Sequence, residues 1–118
     1  MATTRLRIQI MHITQISQDF SVSPQITAAD VAEIANAGFK SIICNRPDFE
    51  EPTQPVFNDI ANAAHEAGLK IAHIPITAMP LPAQISEMAN AISELPKPIF
   101  AYCRSGNRSS ILFHATNS

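Results

Sequence analysis

The chain has 118 residues, of which 46% are apolar and 15% charged, with a formal net charge of −2. This suits one compact domain with a real core, is too apolar for a disordered chain, and offers no basic excess to nucleic acid. No apolar run approaches the ~20 residues that a bilayer crossing needs, so no membrane partner is expected.

Residues 1–12 read as an N-terminal extension. Met1 to Ile10 carries Arg5 and Arg7 without a signal-peptide apolar stretch, and suits a loose tail or an added edge strand. The domain proper is expected over residues 13–118. Phe20 to Ser23 alternates and stops at Pro24, a short strand. Thr27 to Asp30 opens a helix in the manner of a capping box, with Val31, Ile34 and Ala35 on its apolar face and Gly38 as its stop. Phe39 to Cys44 reads as a buried strand, followed by a polar loop from Asn45 to Pro52. Pro55 suits a first helical position, ahead of Val56, Phe57, Ile60, Ala61 and Ala64 on one face and Gly68 as the stop. Leu69 to Pro75 is a further strand and Thr77 to Pro82 a Pro-rich loop. Leu81, Ile85, Met88, Ala89, Ile92 and Leu95 keep helical spacing until Pro96 and Pro98. Ile99 to Tyr102 is the last strand, and a final helix is expected to open at Ser109. Phe57, Met79 and Met88 read as core or loop packing, and Glu50-Glu51 as a solvated patch.

Strands alternating with helices predict an α/β fold with a mostly parallel sheet and helices on both faces. Ligands of such sheets bind at the carboxyl ends of the strands. Cys44, His73 and Cys103 each fall there. Two cysteines are too few for a disulfide framework, and His12, His65 and His114 lack metal-ligand spacing. No metal or cofactor is expected, and a reducing cytoplasm is the default location.

The most informative segment runs from Tyr102 to Ser109: one cysteine at a strand end, then a polar turn with two arginines and a glycine. Such a turn aims backbone N–H groups and a helix N-terminus at one anion, and the same field favours a cysteine thiolate as nucleophile. Cys103 is therefore the expected nucleophile and Arg108 the cradle arginine, with Arg104, Ser105, Gly106, Asn107 and Ser109 completing an anion-binding loop. Four residues separate Cys103 from Arg108. The loop is similar to that of single-domain rhodaneses, where the cysteine carries a persulfide, and one residue shorter than that of protein tyrosine and dual-specificity phosphatases. Loop length and Tyr102 favour sulfur transfer.

Over roughly Ile13 to Phe113 the chain resembles the phosphatase-like domain of the beta-lactamase hydrolase-like (DUF442) family. The resemblance rests on Ser23-Pro24-Gln25, Ile43 to Asp48, Pro75 to Ala78 and Ala101 to Gly106. It implies a dual-specificity-phosphatase-like fold and a bacterial domain found alone or fused to a metallo-beta-lactamase-type domain, which is one candidate partner beside a second copy of the chain. The family normally continues with more helix, so the C-terminal part reads as short or truncated. The leading function is hydrolysis of a phosphate monoester through a cysteinyl-phosphate intermediate on Cys103. Sulfur transfer by a Cys103 persulfide is the alternative, and a non-catalytic anion-binding or docking domain the third reading; the expected partner is a small anionic substrate. The loop from Ile76 to Pro82, where such phosphatases carry an aspartate acid, has no carboxylate. Asp48 is the best substitute, ahead of Glu50, Glu51 and His73, with a loop ion pair to Arg46 or a helix-cap contact as its ordinary role. Cys44 reads as core packing or as a redox partner of Cys103, similar to the backdoor cysteine of phosphoinositide phosphatases.

Overall fold

The computed structural model describes residues 12–117. The tail or edge strand expected over Met1 to Ile10 lies outside them. A five-stranded sheet runs in the order β1-β2-β5-β3-β4, from β1 (Thr14–Ser17), β2 (Phe20–Ser23), β3 (Ser41–Cys44), β4 (Lys70–His73) and β5 (Ile99–Tyr102). All neighbours are parallel except β1 with β2. Among the described residues three helices connect successive parallel-sheet strands, α1 (Ala28–Asn36), α2 (Phe57–Glu66) and α3 (Pro82–Glu94), and α4 (Asn107–Thr116) follows β5.

The period of two along the central strands explains the layering. Ile42, Cys44, Phe100 and Tyr102 face one side and pack against Val31 and Ile34 of α1 and Ile60 and Ala64 of α2. Ile43, Ile99 and Ala101 face the other, under Met88 of α3 and Leu112 of α4. Both faces are covered, so β3 and β5 read as continuous apolar runs in the sequence.

Four expectations change. β1 is an additional edge strand; with Ile16 its one large apolar residue, it depends on pairing with β2 and carries little pattern of its own. The strands expected at Phe39 and Leu69 are shorter. Past β4, Pro75 has no N–H to give, although Ile74 and Ile76 still donate to the Cys44 and Asn45 carbonyls at 2.9 and 3.1 Å. α2 starts at Phe57 and not at Pro55, because Asp48 Oδ1 accepts the Phe57 N–H at 2.8 Å. α4 starts at Asn107 and not at Ser109, because Gly106 takes φ 94° and turns the chain straight into the helix.

Candidate active site

The carboxyl ends of β2, β5, β3 and β4 converge on the Cys103 loop. Cys103 follows β5 directly and its N–H reaches the Ser23 carbonyl at 3.4 Å. Gly106 is required on two grounds. Its φ lies in the left-handed region, and a Cβ there would stand 3.3 Å from the Ser23 carbonyl carbon. So placed, the Gly106 N–H donates to Cys103 Sγ at 3.1 Å. Gly106 is also the N-cap of α4, so the sulfur sits at the positive end of a ten-residue helix. Asn107 N–H is turned to the Ser105 hydroxyl at 3.2 Å. Ser109 is buried in the first helical turn, with no hydrogen-bond partner for its Oγ among the described residues.

Arg108 is held between two loops. Its Nη1 and Nη2 donate to Glu50 Oε2 and Oε1, both at 2.8 Å, and Nη1 also reaches the Ile76 carbonyl at 2.7 Å. Glu50 Oε1 in turn accepts from Nε of Arg46 at 2.9 Å. Arg46 is 2% exposed and uses its remaining nitrogens on Gln25 Oε1 (3.0 Å) and Glu51 Oε1 (2.9 Å). Glu51 completes a second arm at 3.4 Å from the exposed Arg104. Glu50 and Glu51 are thus shared between one buried arginine and the two arginines of the cysteine loop. The solvated patch expected from the sequence is a charge network.

The network settles the protonation of its members. The Arg108 hydrogen bonds, followed by those of Arg46, hold the Glu50 carboxyl down from 4.5 to about 2, against the opposing effect of burial. Glu51 is lowered by Arg46 and then Arg104. Burial works against the Arg46 charge, and the two carboxylates more than offset it. Glu50 is therefore ionised at neutral pH and has no proton to donate to a leaving group. A folded-state pKa below the unfolded one adds stability above about pH 4.5, and that stability is lost as pH falls toward about 2. Glu50→Gln is expected to flatten the fall of Tm across that acid window, with a modest amplitude because the carboxylate is partly solvated. An unchanged acid limb in thermal melts would remove this assignment.

Residues 12–118 match the family model of the beta-lactamase hydrolase-like protein, phosphatase-like domain. The chain belongs to this family. It is 34% identical to the beta-lactamase hydrolase-like protein of Agrobacterium fabrum over 87% of its own length, and spans only 24% of that protein. The same shares hold for the Xylella fastidiosa strain 9a5c protein, at 32% identity. Among solved structures, a phosphatase candidate from Neisseria meningitidis superposes with a TM-score of 0.80 at 39% identity, covering 87% of this chain and 74% of that one. The kinase associated phosphatase superposes at 0.70 with 17% identity, covering 92% and 76%; it shares the fold. The sheet and helices are those of the protein tyrosine and dual-specificity phosphatase structures.

Within this phosphatase-like domain, the motif residues now have roles. Gln25 supports Arg46 and its N–H reaches the Arg104 carbonyl at 3.3 Å. Asp48 caps α2, and no hydrogen bond joins it to the cysteine loop among the described residues. His73 stacks on Phe57 at 4.4 Å, and its Nε2 donates to the Arg46 carbonyl at 2.9 Å. Cys44 Sγ–H shares that carbonyl at 3.4 Å. Cys44 faces the core with Tyr102, and burial pushes its thiol up. It is thus a packed, protonated thiol, a poor form for attacking an oxidised Cys103. Sequence reasoning offered Arg46 as a partner of Asp48 and Glu50 and Glu51 as reserve acids or a solvated patch, and missed the network that ties all three to the cysteine loop. The signal was an arginine and two glutamates in one motif loop of a chain whose cysteine turn carries two more arginines.

Proposed function

We propose that this domain hydrolyses small phosphate monoesters through a cysteinyl-phosphate on Cys103. What carries the reading is the Gly106 N–H held 3.1 Å from the sulfur at the N-terminus of α4, in a family of phosphatase-like domains. The Cys103 thiolate attacks phosphorus, the ester P–O bond breaks, and the alkoxide or aryloxide leaves. Water then cleaves the S–P bond, releasing inorganic phosphate and restoring the thiolate. Loop amides take the equatorial oxygens, and Arg108 orients the loop through Glu50 and Ile76 and meets the anion at its edge. Asp48 would serve as acid only by leaving the α2 cap.

The weak point of the chemistry is leaving-group protonation, since Glu50 is ionised and residues 76–82 carry no carboxylate. Turnover should therefore depend steeply on the leaving group. Across a series of monoesters, aryl phosphates with acidic phenols are expected to exceed alkyl phosphates by on the order of a hundredfold or more in kcat/KM, the usual contribution of a general acid. Comparable turnover of both kinds would sink the reading of a site without an acid.

A second reading has its own support in the short loop. With four residues between Cys103 and Arg108 the cradle is small, and sulfur transfer needs no acid. Cys103 thiolate would attack the outer sulfur of thiosulfate, the S–S bond would break with sulfite leaving, and the persulfide would pass its sulfur to an acceptor thiolate. A mass increase of one sulfur on Cys103 after incubation with thiosulfate is the distinguishing measurement.

A further inference from the structure

The sheet has two free edges among the described residues, β1 and β4, and they differ. The register of β1 with β2 shifts between Gln15 and Ser17, an irregularity that bends an edge away from further pairing. β4 keeps an unbroken parallel register with β3 from Lys70 to His73. The Lys70 and Ile74 N–H groups donate inward, to the Lys40 and Cys44 carbonyls at 3.2 and 2.9 Å. By the period of two, the N–H and C=O groups of Ile71 and His73 point outward, with no strand beside them among the described residues.

Beside that edge lies a cavity of about 490 Å³ between β4 and α3, whose walls include Lys70, Ala72, Ile74, Glu87, Ala91 and Glu94. α3 runs antiparallel to β4. Gln84 near its start reaches the Pro75 carbonyl at 3.3 Å. Pro96, just past its end, accepts at 2.7 Å from Ser41, the register partner of Lys70. Lys70 and Glu94 therefore mark one end of the cavity and Glu87 the other. All three are exposed, and none has an ion-pair partner among the described residues.

We propose that the β4 edge pairs antiparallel with the β4 edge of a second copy of the chain, joining the two sheets into one. What selects a second copy is that the edge is complementary to itself. A twofold axis at Ala72 sets Ile71 opposite the second copy's His73, so that each outward N–H meets an outward C=O. The same axis sets Lys70 opposite the second copy's Ile74, at the end of that copy's cavity where Glu87 stands. The Lys70 ammonium then lies between its own Glu94 and the second copy's Glu87, and its alkyl stem lies along the apolar wall. Symmetry repeats the contact on the other side of the axis. Because the paired strands run in opposite directions, the two Cys103 loops face away from each other and both stay open to solvent.

The dimer is expected to be weak, with a Kd on the order of 10 μM, because a strand of four residues makes a small interface. Sedimentation equilibrium of the whole chain should show monomer and dimer exchanging in that range. Lys70→Glu and Glu87→Lys should each raise Kd about tenfold, and the double variant should restore it. Both side chains are exposed, so the Tm of each variant should stay near that of the wild type. Crosslinking in the Cys103→Ser background reads the register. Ala72→Cys, at the axis, should form an intermolecular disulfide on treatment with the thiol oxidant diamide, and Lys70→Cys, which lands opposite Ile74, should not. An unchanged Kd in both charge variants, or equal crosslinking at the two positions, would place the contact elsewhere and overturn the pairing. A chain that stays monomeric at every concentration overturns it too, whether Lys70 and Pro75 shield the edge or residues 1–11 or another protein take it.

Discussion

Exchange of Cys103 for serine is expected to lower turnover of an aryl phosphate by at least about a thousandfold, since a serine hydroxyl in this loop has no base beside it. The substitution is nearly isosteric and the position is buried, so the fold should survive and Tm should move little. The Gly106 N–H that meets the sulfur would meet a hydroxyl instead, and serine, unlike cysteine, has almost no anionic form at neutral pH. The assay is run in parallel on the aryl ester and on thiosulfate. Loss on the ester alone assigns phosphoryl transfer to Cys103; loss on thiosulfate alone assigns sulfur transfer. Retention of the wild-type rate on the substrate that the domain turns over would remove Cys103 from the mechanism.

The second large effect is expected at Gly106. Alanine there meets left-handed backbone strain of about 1–2 kcal/mol, and a Cβ 3.3 Å from the Ser23 carbonyl carbon. To relieve the contact the turn must shift, which takes the Gly106 N–H away from Cys103 Sγ. Loss of one such donor costs about a hundredfold or more in kcat where negative charge develops. Gly68→Ala is the internal control, because Gly68 has φ 81° but nothing within 4 Å of the added carbon. Both variants should melt lower than wild type, and Gly106→Ala alone should lose activity. Equal kinetics in the two variants would show that the glycine serves the turn and not the sulfur.

The parallel sheet was legible because β3 and β5 are apolar on both faces, and the helix stops at Gly38 and Gly68 because both take positive φ. The turn after Cys103 was legible because its signals are local: cysteine, glycine and helix start lie within a few residues. β1 was not, since an edge strand is defined by its neighbour. The role of Glu50 was not either. It is 58 residues from Arg108, and a charged pair in a loop reads as solvated until the fold brings its partners to it. Asp48 showed the converse: of the two ordinary roles its sequence context offers, an ion pair with Arg46 and a helix cap, the fold makes the cap, and Arg46 pairs with Glu50 and Glu51 instead. The left-handed turn at Phe49, with φ 64°, had no signal at all, because aromatic residues are not where such turns are sought.

Arg46, Arg104 and Arg108 bring three positive charges to the mouth, and Glu50 and Glu51 return two negative ones. One unit of charge is left over, on a chain whose formal net charge is −2. At a distance beyond the screening length, about 8 Å at physiological salt, such a cluster is nearly invisible to an approaching anion. The cleft therefore does not draw its ligand in from solution, as a strongly charged funnel would. What the charged side chains do in the fold is brace the loop, Arg108 through Glu50 above all, around the Gly106 N–H that points at the Cys103 sulfur.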